Sequence, residues 1–99
     1  MMNRMTTQEV QEYMSTNGGA SIIDVRETAE VKAGKIPGAV NIPLGLLEFR
    51  LQDIDKSKEH IMVCRSGNRS GMATSLLANH GYNVINMDGG MMDWDGPTE

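Results

Sequence analysis

Ninety-nine residues, 39% hydrophobic and 22% charged, describe one globular domain with a modest core and not a disordered chain. A formal net charge of −4 argues against a nucleic-acid-binding surface. The single cysteine excludes an intramolecular disulfide, His60 and His80 lack Cys or His partners at zinc spacing, and no stretch approaches the length of a membrane span.

The elements follow in chain order. Met1 to Met5 lacks the apolar core of a signal peptide, and a weak strand pattern sits at Arg4-Met5. Thr6-Thr7-Gln8-Glu9 is a capping-box pattern. Val10, Tyr13 and Met14 then keep helical spacing, and Gly18 is expected to close that helix. Ser21 to Val25 reads as a strand, Arg26 to Ala33 as a short helix, and Ala39 to Ile42 as a strand stopped by Pro43. Leu47, Leu51 and Ile54 mark one face of a further helix. Ile61 to Val63 is a strand leading to Cys64. A helix starting near Ser70 carries Ala73, Leu76, Leu77 and His80 on one face, with Gly81 as its C-cap. Asn83 to Met87 is the last strand. Met1 to Asn3 and Gly96 to Glu99 read as frayed tails. Nine methionines against one Trp, two Tyr and one Phe imply a pliable core in preference to a Met-rich binding surface.

Strands alternating with helices imply a three-layer α/β/α domain, with a parallel sheet of four to five strands and helices on both faces. Right-handed crossovers gather the strand C-termini on one edge, which holds Val25-Arg26, Ile42-Pro43, Cys64 and Met87-Asp88. Ligands of open α/β sheets bind at that edge.

Cys64 therefore stands out. It ends an apolar strand and opens the loop Arg65-Ser66-Gly67-Asn68-Arg69, and a helix follows. Loop amides can form an anion nest, and the helix N-terminus adds partial positive charge. Both favour the thiolate, which is the nucleophile. Two arginines grouped at one strand end of an acidic chain suit a small anion better than a polyanion.

The segment Cys64-Arg65-Ser66-Gly67-Asn68-Arg69-Ser70 resembles the active-site loop of rhodanese-like sulfurtransferases. Three other stretches resemble the same family in the right order: Ile22 to Glu27 with its Asp-Val-Arg, Gly34 to Pro43 with Ile-Pro-Gly-Ala, and Gly81-Tyr82-Asn83-Val84 followed by Gly89-Gly90 and Trp94. The likeness runs from about Thr6 to Trp94. Lys35 stands where the family often has His, a position read as structural.

The resemblance implies a thiosulfate sulfurtransferase (rhodanese) with no cofactor and no metal. Cys64 is the expected catalytic nucleophile. It would take the outer sulfur of thiosulfate or a persulfide donor, hold it as a persulfide, and pass it to an acceptor in a two-step, ping-pong reaction. Arg65, Ser66, Gly67, Asn68, Arg69 and Ser70 are the expected substrate-binding residues, their backbone N–H groups lining a small cavity for the charged sulfur. Arg65 faces outward to hold the donor. Arg69 either binds the anion or pins the loop to an acidic neighbour. Ser66, Asn68 and Ser70 shape the loop by side-chain bonds to backbone, Ser70 also capping the helix, and Gly67 takes a conformation other residues resist. With no His or carboxylate in the loop, electrostatics alone must lower the thiol pKa.

Asp24 and Arg26, at a strand end on the same edge, are read as an ion pair or turn that links strand to helix, in preference to a support that fixes the loop from beneath. Gly89-Gly90 is read as a simple turn, Trp94 as a packing anchor, and His80 as a capping or core residue. The expected partners are a small anionic sulfur donor and a thiol, cyanide or protein thiol acceptor, with no nucleic acid and no membrane, for a monomer in the cytoplasm. Two other functions stay open. One is a Cys-dependent phosphatase or arsenate reductase, although such phosphatases carry five residues between Cys and Arg, and Cys64 to Arg69 encloses four. The other is a non-catalytic rhodanese-like binding module, whose members commonly lose the Cys.

Overall fold

Five short strands form one parallel sheet in the computed structural model, which describes residues 3–16 and 19–99. They are β1 (Asn3–Met5), β2 (Ser21–Asp24), β3 (Val40–Asn41), β4 (Glu59–Val63) and β5 (Asn83–Met87), in the order β1-β5-β4-β2-β3. All four pairings are parallel, and Ile61 of β4 stands between Ile22 of β2 and Ile85 of β5. The weak pattern at Arg4-Met5 is thus a real edge strand, with Arg4 opposite Asn86 and Met5 opposite Met87.

Alternation along the strands sorts side chains to two faces. Ile23, Met62, Cys64 and Val84 lie in one buried cluster with Ala73 and Leu77 of α3 (Asn68–Asn79). Leu47 and Ile54 join that cluster from the segment Leu44–Asp53 and its C-cap. Ile22, Ile61, Val63, Ile85 and Met87 form the other cluster with Val10 of α1 (Thr7–Ser15), and Met91 and Trp94 pack against it. The layers are therefore α/β/α, as the alternation predicts. Met62 and Met87 fill the interior, whereas Met72 and Met92 are exposed.

The capping box at Thr6 forms both of its bonds, with the Glu9 N–H donating to Thr6 Oγ1 at 3.1 Å and the Thr6 N–H to Glu9 Oε1 at 2.9 Å. The expected stop at Gly18 lies outside the described residues. Gly81 closes α3 in the left-handed region (φ 85°). Its N–H bonds Ala78 O and that of Tyr82 bonds Leu77 O, both at 3.0 Å, which is the Schellman pattern.

Two expectations are corrected, and a third, the short helix after β2, holds with tighter bounds. The segment Leu44–Asp53 winds as a 3₁₀ helix, with Leu47 buried and Leu51 packed against the same cluster. The two leucines of its first turn that meet the core, Leu44 and Leu47, lie three positions apart, and Gly45 weakens an α-helical first turn. The helix expected over Arg26 to Ala33 is one short turn, α2 (Thr28–Lys32). The C-terminal residues are not frayed at their end: Glu99 exchanges two backbone hydrogen bonds with Lys35 (2.8 and 3.2 Å), and Lys35 Nζ meets the Glu99 carboxylate at 2.8 Å. Lys35 also donates to Ala39 O at 3.0 Å, a structural role as expected for that position. Among the described residues no helix is long and apolar enough to cross a membrane.

Candidate active site

Cys64 follows β4 directly and points to the same side of the sheet as Met62, under the start of α3. It is fully buried, so the sulfur forms the floor of the loop and not its rim. The chain then turns back through Gly67, whose φ of 102° is costly for any residue with a Cβ. That turn aims the Gly67 N–H at Cys64 Sγ, 3.0 Å away. It also starts α3 at Asn68, two residues earlier than expected, with Gly67 as N-cap and the Gly71 N–H on Gly67 O at 3.0 Å.

Ser70 is consequently not the cap. It sits inside the first helical turn, fully buried, and its hydroxyl has no well-aligned partner among the described residues. Its proton is free to turn to the sulfur beside it. Burial pushes the Cys64 thiol up, but the Ser70 hydroxyl and the backbone N–H groups of Ser70, Gly67 and Ser66 outweigh that cost. The thiol ends below its ordinary value without a general base. Arg65, Ser66 and Asn68 are exposed around this floor. Ser66 and Asn68 form no side-chain bonds to backbone among the described residues, so they shape the loop through their main chain alone, contrary to expectation.

The back of the loop is held by α4 (Gly90–Asp93). The Met91 N–H donates to Cys64 O and the Met92 N–H to Arg65 O, each at 2.8 Å. These bonds occupy the carbonyls and leave the loop amides turned toward the sulfur. Gly90 makes the approach possible. A Cβ there would lie 2.5 Å from the carbonyl oxygens of both Cys64 and Arg65, and its φ is 58°. Gly89-Gly90 is therefore more than the simple turn expected of it. Gly67 also packs tightly, though less so, since a Cβ there would stand 3.2 Å from Gly89 N.

Two ion pairs brace the site from the β2 side. The buried carboxylate of Asp24 accepts Arg26 Nε at 3.0 Å and Nη2 at 2.7 Å, and Arg26 also donates to Gly34 O at 2.8 Å. This is the ion pair expected to link the strand to the helix that follows. Arg69 turns away from the sulfur to Glu30 of α2, with Nη1 and Nη2 on the two carboxylate oxygens at 2.7 and 2.8 Å. The Arg69 guanidinium, with help from the Glu27 backbone, lowers the Glu30 pKa to about 2. Of the two roles left open for Arg69, the structure shows the one that pins the loop. His80 caps α3, its Nδ1 meeting Leu76 O at 2.9 Å. Among the described residues no group of His, Cys, Asp and Glu is arranged to hold a metal.

A buried, amide-cradled cysteine between a parallel strand and a helix is the arrangement the sequence resemblance implies. Residues 6–96 match the rhodanese-like domain. The chain belongs to the rhodanese-like family. A sulfurtransferase of Allochromatium vinosum is 32% identical over 95 residues, covering 95% of this chain and 89% of that protein. A thiosulfate:glutathione sulfurtransferase of Saccharomyces cerevisiae is 36% identical over 87 residues, covering 74% of this chain and 63% of that protein. The crystal structure of a rhodanese-like domain protein from Staphylococcus aureus superposes with a TM-score of 0.93 at 31% identity, covering 99% and 97% of the two chains.

Within this rhodanese-like site, sequence reasoning placed Cys64 and the loop but missed three supports. Glu30 gave no sign of its pairing with Arg69, which lies 39 positions away. Gly90 was visible as half of a Gly-Gly pair, and that pair was the available clue. Asn86, buried on β5 behind the loop, carried no pattern that would single it out.

Proposed function

We propose that this rhodanese-like protein is a thiosulfate sulfurtransferase working through a Cys64 persulfide. The Gly67 N–H on Cys64 Sγ at 3.0 Å, in a site that holds the thiol below its ordinary pKa, carries the reading. Sulfurtransferase names among its relatives support transfer of sulfur in general. The thiosulfate and glutathione in the name of the yeast relative support this donor and a thiol acceptor.

In the first half-reaction the Cys64 thiolate attacks the outer sulfur of thiosulfate. The S–S bond of the donor breaks, and sulfite leaves with its electron pair. The new terminal sulfur bears the negative charge and needs hydrogen-bond donors, which the loop amides supply without reorganisation. Exposed Arg65 offers its guanidinium to the incoming dianion at the rim. In the second half-reaction an acceptor thiolate attacks the terminal sulfur, and Cys64 leaves as the thiolate that began the cycle.

The reading is tested by intact mass spectrometry after thiosulfate treatment, with cyanide and glutathione as acceptors in turn. A species heavier by one sulfur on wild type, absent from Cys64→Ser, is expected. Catalytic turnover by Cys64→Ser, or aryl phosphate hydrolysis faster than thiosulfate consumption in the wild type, would sink it.

A further inference from the structure

Asn86 on β5 is 3% exposed and lies behind the loop. Its Nδ2 donates to Asp88 Oδ1 at 2.8 Å and, more loosely, to Gly67 O at 3.4 Å. Asp88 in turn meets Arg4 Nε of β1 at 3.3 Å. A line of polar contacts thus runs from the edge strand through Asp88 and Asn86 to Gly67, the residue whose N–H bonds Cys64 Sγ.

Two further observations give this line a purpose. Gly67 O already accepts the first helical hydrogen bond, from the Gly71 N–H at 3.0 Å. Asn86 is therefore not needed to satisfy that carbonyl, and its contact bears on the setting of the Gly67–Asn68 peptide, which is joined at the Gly67 Cα to the peptide that carries the Gly67 N–H. At its other end, Asn86 Oδ1 is buried without a partner among the described residues. Turning the amide over would only set that oxygen against the Asp88 carboxylate. A buried, unpaired carbonyl costs stability that an apolar side chain at this position would not. Packing alone does not account for an asparagine here.

We propose that Asn86 is a positioning residue for sulfur transfer: acting through Gly67, it fixes the loop amide that stabilises the Cys64 thiolate and its persulfide. It touches neither the sulfur nor the substrate. The inference rests on Cys64 being the sulfur carrier, yet its first readout, the titration of Cys64, needs no sulfur transfer. The charged groups around the loop are Arg65 and Arg69, Glu27 and Glu30 at α2, Asp24 at the end of β2 with Arg26, Asp88 after β5 with Arg4 of β1, and Asp93 of α4 beside Gly89. All are retained when only Asn86 is changed.

The test is Asn86→Leu, with the Cys64 pKa read from the pH dependence of iodoacetamide alkylation, beside a circular dichroism melt and a thiosulfate-to-glutathione transfer assay. The expected variant melts at or above the wild-type temperature. Its thiol pKa rises by about one unit, which leaves roughly tenfold less thiolate below that pKa, and transfer falls in step. Asn86→Ala likewise removes the donor and adds no charge, and it gives the same readout if the leucine variant does not fold. A lower melting temperature with an unchanged alkylation profile would make Asn86 purely structural and overturn the inference. So would an unchanged profile at any melting temperature. If wild type moves no sulfur while the substitution still shifts the titration, the proposed function fails and the positioning of the thiolate stands.

Discussion

Arg69 and Glu30 meet fork to fork, 2.7 and 2.8 Å apart, and so tie the last residue of the loop to α2. A planar guanidinium matches a carboxylate in this way, and a lysine ammonium does not. Arg69→Lys is expected to keep the charge, loosen the loop and lower kcat, with a smaller effect on the thiosulfate KM. A large rise in KM at unchanged kcat would instead place Arg69 on the substrate.

The same pair sets an acid limit. Glu30 has a folded pKa of about 2 against an ordinary value of 4.5, so it is depressed on folding. Such a group contributes stability that is fully present above the unfolded value and is lost as pH falls through the folded one. The window is therefore about pH 4.5 down to about 2. Glu30→Gln should be less stable than wild type at neutral pH, and the two urea-denaturation curves should converge across that window. A constant difference between them at every pH would show that the charge of Glu30 contributes nothing.

Gly90→Ala tests the back wall. A methyl group at Gly90 would sit 2.5 Å from two loop carbonyls, and the residue has a positive φ. Left-handed backbone alone costs about 1–2 kcal/mol for a residue with a Cβ, and the clash adds to it. The expected outcome is a loss of about 2 kcal/mol or more in urea melts, together with a slower reaction of Cys64 with thiosulfate, because α4 can no longer hold the carbonyls of Cys64 and Arg65. Wild-type stability and rate in the variant would show that α4 can stand off without cost.

What the sequence made legible is local or periodic. The capping box at Thr6, the Schellman close at Gly81 and the alternation that sends Met62 and Cys64 to one face all follow from spacing along the chain. Cys64 and its loop were legible as a candidate site because strand, turn and helix are contiguous there. Long-range pairings were not: Glu30 with Arg69, Glu99 with Lys35 and Asn86 with Gly67 come together only once the sheet order is set. The 3₁₀ winding of Leu44–Asp53 escaped for a different reason: the four-then-three spacing of Leu47, Leu51 and Ile54 is that of an α-helix, and it masks the tighter winding.

Arg65 is exposed at the rim, next to Cys64 in a chain of net charge −4. Arg65→Ala should raise the thiosulfate KM about tenfold, as expected when a charge-assisted contact worth roughly 1.5–3 kcal/mol is weakened by solvent. Added salt should weaken thiosulfate binding more in the wild type than in the variant. An unchanged KM would leave Arg65 as a solvated cation.

Cys64 is the only cysteine in the sequence, so no second thiol of this chain can attack a Cys64 persulfide and release its sulfur by forming an internal disulfide. The persulfide must be emptied from outside. Cys64 is also buried, with the Gly67 N–H on its sulfur, so the loaded state is sheltered from adventitious reagents. Protein treated with thiosulfate and freed of excess should therefore keep the added sulfur for hours in buffer, and lose it within minutes when glutathione, cyanide or a dithiol protein is supplied. Following intact mass over time with each acceptor ranks them, and the ranking identifies the class of acceptor that the mouth admits. Spontaneous loss at the same rate with and without acceptor would contradict a cradled intermediate, and with it the idea that the loop is built to hold sulfur between two half-reactions.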